Sequence, residues 1–159
     1  MPNNNAINAF TRSSGWTSFT TTITATANPT LGAGSTITSY YLQFGKLLYL
    51  MMRFNNVSIT GATAGTGIYS FNLPSGFSIN SSIAKTNPYS VLGSTKAWQP
   101  STPSNQGIGV AAVIADFTHY SILMYNTSAA LCNFISDSWY SVANPVLYTY
   151  SAELCIPIN

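Results

Sequence analysis

The sequence predicts an all-β protein, an antiparallel β-sandwich with a jelly roll of about 8–10 strands. Short segments in which apolar and polar residues alternate recur along the chain, Gly and Pro separate them, and no window shows a helical period. Aromatic residues make up 13% of the chain and are mostly Tyr and Phe, which favour strands. A chain of 159 residues is long enough to bury one sizeable core without disulfides.

The composition restricts the partners of this protein. Only 5% of the residues are charged, against roughly a quarter in average soluble domains. The net charge of +2 comes from scattered residues, so we expect no nucleic-acid binding. No apolar stretch approaches the roughly 18 residues that span a membrane, so we expect no membrane insertion. Such low charge is typical of extracellular, capsid and appendage proteins that live in tight assemblies.

The chain divides into an arm and one domain. Residues 1–14 are rich in Asn and Ser without a period and predict an arm or tether, and residues 15–159 predict a single β-sandwich head. Residues 93–107 are the longest weakly patterned stretch, with Trp98 near its centre. The predicted strands cover residues 15–26, 37–44, 47–54, 68–73, 77–79, 89–92, 108–117, 120–125, 131–135 and 146–158. The last strand alternates most cleanly, with Tyr150, Leu154 and Ile156 on its apolar side.

Residues 47–54 are apolar on both faces. One face carries Leu47, Tyr49 and Met51, with Arg53 at its end, and the other carries Leu48, Leu50, Met52 and Phe54. A sandwich strand normally buries one face and exposes the other to water. The second face therefore needs a cover, for which another copy of the chain is the first candidate. Which face is core stays open.

Residues 120–125 show the same property. The predicted copy–copy interface takes residues from both segments: Leu47, Leu48, Tyr49, Leu50, Met51, Met52, Tyr120, Ile122, Leu123 and Tyr125. Their packing is a more ordinary role for Tyr and Met than a ligand site.

Three motifs carry a resemblance to a known class. They are Trp16 at the start of a Thr-rich strand, Tyr40-x-x-x-x-Gly45-Lys46 before an apolar strand, and Ile68-x-x-Phe71-x-Leu73-Pro74-x-Gly76-Phe77. This series, over about residues 15–80, resembles the trimeric head domains of viral and phage fibres, which share a jelly roll with complement-type heads and tumour-necrosis-factor-like ligands.

The resemblance implies a homotrimer at the virion surface, on a fibre or spike, that attaches to a host receptor or glycan through variable loops. It also implies contact with other virion proteins through the arm at residues 1–14. A fibre head normally follows a shaft, whereas only this arm precedes the domain. Either the chain is an excised head or the head attaches by the arm.

Enzyme chemistry has little support. The one histidine, His119, lies three residues after Asp116, so the two would point to opposite faces of a continuous strand unless a turn joins them. The chain has no nucleophile elbow and no zinc-ligand spacing. We therefore expect no enzymatic activity, no metal and no cofactor. A polysaccharide hydrolase is a third hypothesis and would depend on Asp116, Asp137 or Glu153.

Two loop stretches offer the aromatic and polar side chains that bind sugars. The first joins Trp98 and Gln99 to Asn105 and Gln106, and the second contains Asp137, Trp139 and Tyr140. Packing within the sandwich is the alternative role for these aromatic residues. The alternative function is a minor capsid or cement protein that contacts only virion proteins. Cys132 and Cys155 either pair or remain two buried thiols.

Overall fold

The computed structural model describes residues 15–85, 90–98, 106–112, 116–126, 131–134, 136, 142–143 and 149–159. This part of the chain forms ten β-strands and contains no helix. They are β1 (Thr17–Phe19), β2 (Ile23–Thr24), β3 (Thr36–Phe44), β4 (Leu47–Asn55), β5 (Ser70–Asn72), β6 (Val91–Trp98), β7 (Gln106–Ala112), β8 (His119–Asn126), β9 (Leu131–Phe134) and β10 (Thr149–Pro157).

All strand pairs are antiparallel, in the order β1-β3-β4-β10-β6-β7-β8-β5-β2. Strand β9 also pairs with β8, beyond the point where β8 pairs with β5. The predicted all-β antiparallel class is confirmed, with the character of a β-sandwich. The jelly-roll connectivity remains a prediction.

The two ends of the sheet lie near each other. The prediction of one strand over residues 15–26 is wrong, because β1 pairs with β3 and β2 pairs with β5, at opposite ends of the strand order. The side chain of Asn72 fixes the segment between β1 and β2. Its Oδ1 accepts a hydrogen bond from the backbone N–H of Thr22 at 2.6 Å, and its Nδ2 donates one to the carbonyl of Thr20 at 3.2 Å. Four residue steps span at most about 14 Å, so the two sheet ends lie close together.

Strands β4 and β10 provide one side of the core. Their inward side chains meet in register: Leu48 lies opposite Ile156 and Leu50 opposite Leu154. At the end of the pair, Phe54 stacks on Tyr150 with ring centroids 5.2 Å apart. The same core cluster contains the inward side chains of β5 and β8, among them Phe71, Tyr120 and Ile122. One core therefore joins both halves of the curled sheet.

The weakly patterned stretch of residues 93–107 contains strand at both of its ends. Strand β6 continues to Trp98, and Thr95 and Ala97 are buried on alternate positions. Gly93 lies so close to β10 that a Cβ there would stand 2.1 Å from the carbonyl oxygen of Glu153. Sequence patterning missed this strand for two reasons. The close approach of β10 requires glycine at position 93, and the exposed positions beyond it carry polar residues.

Two buried tyrosines test how much a hydrogen bond of the phenol hydroxyl contributes to stability. Tyr69 and Tyr120 are both fully buried, and Tyr69 Oη donates to the carbonyl of Ala64 at 2.7 Å. Among the described residues, Tyr120 Oη has no partner, and burial raises the pKa of its phenol. We expect Tyr69→Phe to lower the free energy of unfolding by about 1 kcal/mol, and Tyr120→Phe to preserve or increase it. Urea unfolding of both variants checks this, and a larger loss for Tyr120→Phe would contradict it.

Candidate functional site

Strand β4 has one buried face and one exposed face. Leu48, Leu50, Met52 and Phe54 are at most 2% exposed. On the other face Leu47, Tyr49 and Met51 are 37%, 39% and 44% exposed. The structure thus settles which face is core. We call the outward side of β3, β4 and β10 the outer face.

One end of the outer face is apolar. Leu47 lies between Phe44 on β3 and Pro157 on β10, and Tyr49 lies between Leu42 and Cys155. Phe44 is 41% exposed, whereas Leu42 and Pro157 are half-buried. We call this part, from Phe44 and Leu47 to Tyr49, the apolar end.

The other end of the outer face is polar. Arg53 lies between Thr38 and Ser151, and Met51 lies between Tyr40 and Glu153. These residues line a groove of about 540 Å³, which we call the polar-end groove. It contains one cationic and one anionic side chain beside the ring of Tyr40, which is 41% exposed.

Trp16 contributes to the same surface from the segment before β1. It is 48% exposed and lines a second groove of about 530 Å³ together with Tyr49, Met51, Glu153 and Cys155. Met51 and Glu153 border both grooves. Cys155 is a free, exposed cysteine, so it reports on whether this surface is covered.

Half of the predicted interface residues belong to the core of the chain. Five side chains are at most 2% exposed and leave no surface for a partner: Leu48, Leu50, Met52, Tyr120 and Ile122. Their burial arises because β4 and β8 both turn these positions toward the shared core. Leu123 is half-buried, and the side chain of Tyr125 lies outside the described set. Among the predicted interface residues whose side chains are described, Leu47, Tyr49 and Met51 keep an exposed apolar surface.

The predicted sugar-binding loops fall mostly outside the described residues. This applies to Gln99, Asn105, Asp137, Trp139 and Tyr140. The backbones of Trp98 and Gln106 are described, and they pair across the β6–β7 hairpin. The first and last members of the first predicted cluster are therefore cross-strand neighbours.

A turn brings Asp116 and His119 together, which was one of the two arrangements left open by the sequence. The Nδ1 atom of His119 lies 2.8 Å from Asp116 Oδ2. Asp116 Oδ1 accepts from the backbone N–H and the hydroxyl of Thr118, at 2.7 and 2.6 Å. The Asp116 side chain is 55% exposed and that of His119 is 26% exposed. Glu153 lies on β10, and β6 and β7 separate it from β8 in the sheet.

The turn containing Asp116 and His119 predicts that part of the folding stability is lost at low pH. Partial burial raises the pKa of Asp116, but hydrogen bonds from Thr118 and His119 outweigh it and lower the pKa below 3.8. Ionised Asp116 therefore stabilises the fold above the unfolded-state pKa, and this stabilisation is lost as the pH falls through the lowered folded-state value. Solvent exposure limits the effect to below about 1 kcal/mol. Urea midpoints measured as the pH is lowered should fall less in Asp116→Asn than in the original chain, and parallel profiles would contradict this.

Sequence patterning did not assign the grooves, although it recognised several of their residues. Tyr40, Arg53 and Glu153 come from three strands, and their spacing along the chain contains no motif. The signal that could have identified the grooves is the pairing register of the strands. Each of these residues occupies an outward position of its strand. The pairing of β4 with β10 places those positions next to each other.

Comparison with known proteins provides no relative. No family model matches the chain, and no curated protein or solved structure matches it. The fold and the outer face define an antiparallel β-sandwich with an uncovered apolar surface. Within the described ranges, no cluster of three or more metal-ligating side chains occurs. That part of the chain also has no helix of the length and apolar character needed to cross a membrane.

Proposed function

We propose that this protein is a non-enzymatic head domain on a virion surface, on a fibre or spike, which assembles as a homotrimer and attaches to a host receptor or glycan. The observation that carries the proposal is the outer face, where apolar side chains of a central strand stay exposed although the opposite face already fills the core. Residues 1–14 are the proposed link to other virion proteins.

The size of this surface supports assembly. Large side chains offer about 150–250 Å² each when fully exposed, so Trp16, Phe44, Leu47 and Tyr49, at 37–48% exposure, offer roughly 300–400 Å² of apolar surface. The largest patch on a typical monomer covers about 300–600 Å² and is often functional. A standard interface buries about 800 Å² per partner, of which roughly 60% is apolar.

The position of β4 supports face-to-face contact with copies of the chain. Both edges of β4 are paired, with β3 and with β10, so a partner has to lie on its side chains. The apolar end contains no acidic residue, and its nearest charge is Lys46 in the adjoining turn. Copies can therefore approach without placing like charges directly opposite each other in the centre of the contact.

The contacts of His119 favour a non-enzymatic role. Its Nδ1 atom contacts the Asp116 carboxylate and the Thr118 hydroxyl within one exposed turn. Neither groove of the outer face contains Asp116 or His119. A hydrolase would lose turnover in alanine variants of Asp116, Asp137 or Glu153, and we expect no turnover of surface polysaccharides by the original chain.

Two measurements test the proposal. Native mass spectrometry at micromolar concentration should give three times the chain mass of 17.0 kDa, and a stable monomer would contradict the assembly. A glycan array probed with the purified protein should give reproducible hits. A trimer with a blank array would favour the second candidate, a minor capsid or cement protein, because the outer face serves assembly in either case.

A further inference from the structure

The polar-end groove has a chemical character different from the rest of the outer face. Its two cross-strand rows are Thr38–Arg53–Ser151 and Tyr40–Met51–Glu153. Directly opposite side chains lie about 5 Å apart and diagonal ones about 7–8 Å apart. The guanidinium of Arg53 and the carboxylate of Glu153 thus project from neighbouring rows on adjacent strands, with the phenol ring of Tyr40 at the β3 side of the groove.

We propose that this groove binds a neutral saccharide unit. The inference rests on the proposed attachment function and names its ligand class and its place on the described surface. The ring of Tyr40 and the thioether of Met51 provide apolar surface for the C–H face of a sugar ring. Arg53 donates hydrogen bonds to sugar hydroxyls, and Glu153 accepts them.

Two neighbouring hydroxyls of a sugar suit Arg53 and Glu153, because each hydroxyl can both donate and accept a hydrogen bond. Ser151 and Thr38 supply further hydroxyl partners at the edge of the groove. Small-molecule sites commonly combine an apolar wall with a few placed polar groups. The polar-end groove has this composition, whereas the apolar end lacks the charged hydrogen-bonding groups.

The charges of the groove select a neutral ligand. Its lining contains one cation, Arg53, and one anion, Glu153. A carboxylated or sulfated sugar would be attracted by Arg53 and repelled by Glu153, so its negative charge brings no net gain. A neutral sugar meets both groups without this repulsion, so its binding depends weakly on salt.

The groove and the apolar end occupy neighbouring parts of β4, with Met51 in the groove and Tyr49 at the apolar end. Leu47 and Arg53 lie at opposite ends of β4, and six residue steps along a strand span about 20 Å. Copies that meet over Leu47 and Phe44 therefore leave the groove open at the edge of the contact.

The experiment uses the full chain and the methyl glycosides of glucose, galactose and mannose as probes, with methyl glucuronide as the anionic comparison. Saturation-transfer NMR and titration should detect at least one neutral glycoside. Tyr40→Ala and Arg53→Gln should each weaken its binding at least tenfold. Ile59→Ala is the matched apolar control, because Ile59 is 42% exposed and Tyr40 is 41% exposed, and Ile59 lies outside the outer face. Lys46→Gln is the matched cation control, and both controls should bind as the original chain does.

Several results would overturn the inference. They are an absence of binding by all three neutral probes, stronger binding of glucuronide with steep salt dependence, or equal losses in Tyr40→Ala and Ile59→Ala. A change of assembly state in Tyr40→Ala without sugar binding would assign the groove to another copy of the chain and overturn it too. If array hits persist unchanged in Tyr40→Ala and Arg53→Gln, this inference fails while the proposed attachment stands. A blank array for the original chain removes the attachment itself.

Discussion

Leu50→Asp is expected to remove a large part of the stability of the chain. Leu50 is 1% exposed and lies opposite Leu154 in the β4–β10 pair. The substitution removes a packed side chain and buries a carboxylate among apolar groups, which costs roughly 4–5 kcal/mol. Domains of this size have about 5–15 kcal/mol of stability in total. Circular dichroism and urea unfolding of the purified variant measure the effect.

Met51→Asp is the matched control, because it introduces the same residue one position further along the same strand. Met51 is 44% exposed, so the new carboxylate stays in water. Glu153 lies directly opposite, and the pair of like charges together with the poor strand propensity of Asp costs about 1 kcal/mol. Equal destabilisation by the two variants would contradict the assignment of the two faces.

The difference between these faces shows where sequence reasoning ended. Both faces of residues 47–54 are apolar, so alternation predicted a strand without choosing its buried side. The choice comes from pairing with β10, whose own alternation is clear: Leu48 meets Ile156, and Met51 meets Glu153. The two strands are distant in sequence, and no local pattern identifies them as neighbours.

Other differences have similar non-local causes. After β1 the chain crosses to the other end of the sheet, where the side chain of Asn72 forms hydrogen bonds with the backbone of Thr20 and Thr22. The Thr-rich residues 15–26 resemble one continuous strand in the sequence. The break between β1 and β2 is not visible there, because Asn72 belongs to a distant strand. The composition, the alternation of residues 146–158 and the turn at Gly45, which has φ +57°, are local features, and they predicted the fold class and the positions of several strands.

The candidate site was less predictable than the fold. Sequence reasoning placed ligand contacts in aromatic loops, most of which lie outside the described residues. The grooves of the outer face instead combine Trp16 or Tyr40 with Glu153 from the last strand. Such a site appears only when register is known, because single exposed aromatic residues on separate strands carry no shared motif.

Leu47→Asp is expected to convert the assembled protein into folded single chains. Leu47 is 37% exposed between Phe44 and Pro157, so an isolated chain tolerates Asp at this position. In a contact over the apolar end, the carboxylate would lose water without a cationic partner, at a cost of about 3 kcal/mol per interface, or roughly a hundredfold in dissociation constant. Native mass spectrometry at micromolar concentration measures the change from trimer to monomer.

Ile59→Asp is the matched control for this prediction. Ile59 is 42% exposed in the segment after β4, outside the outer face, so this variant should stay assembled. The thiol of Cys155, beside Tyr49 in the β4–β10 register, provides a second readout by peptide-mapped alkylation. It should react slowly in the original chain and in Ile59→Asp, and rapidly in Leu47→Asp. Rapid reaction of Cys155 in an intact trimer would place the contact elsewhere, and slow reaction in a monomer would mean that the chain covers this face with its own residues.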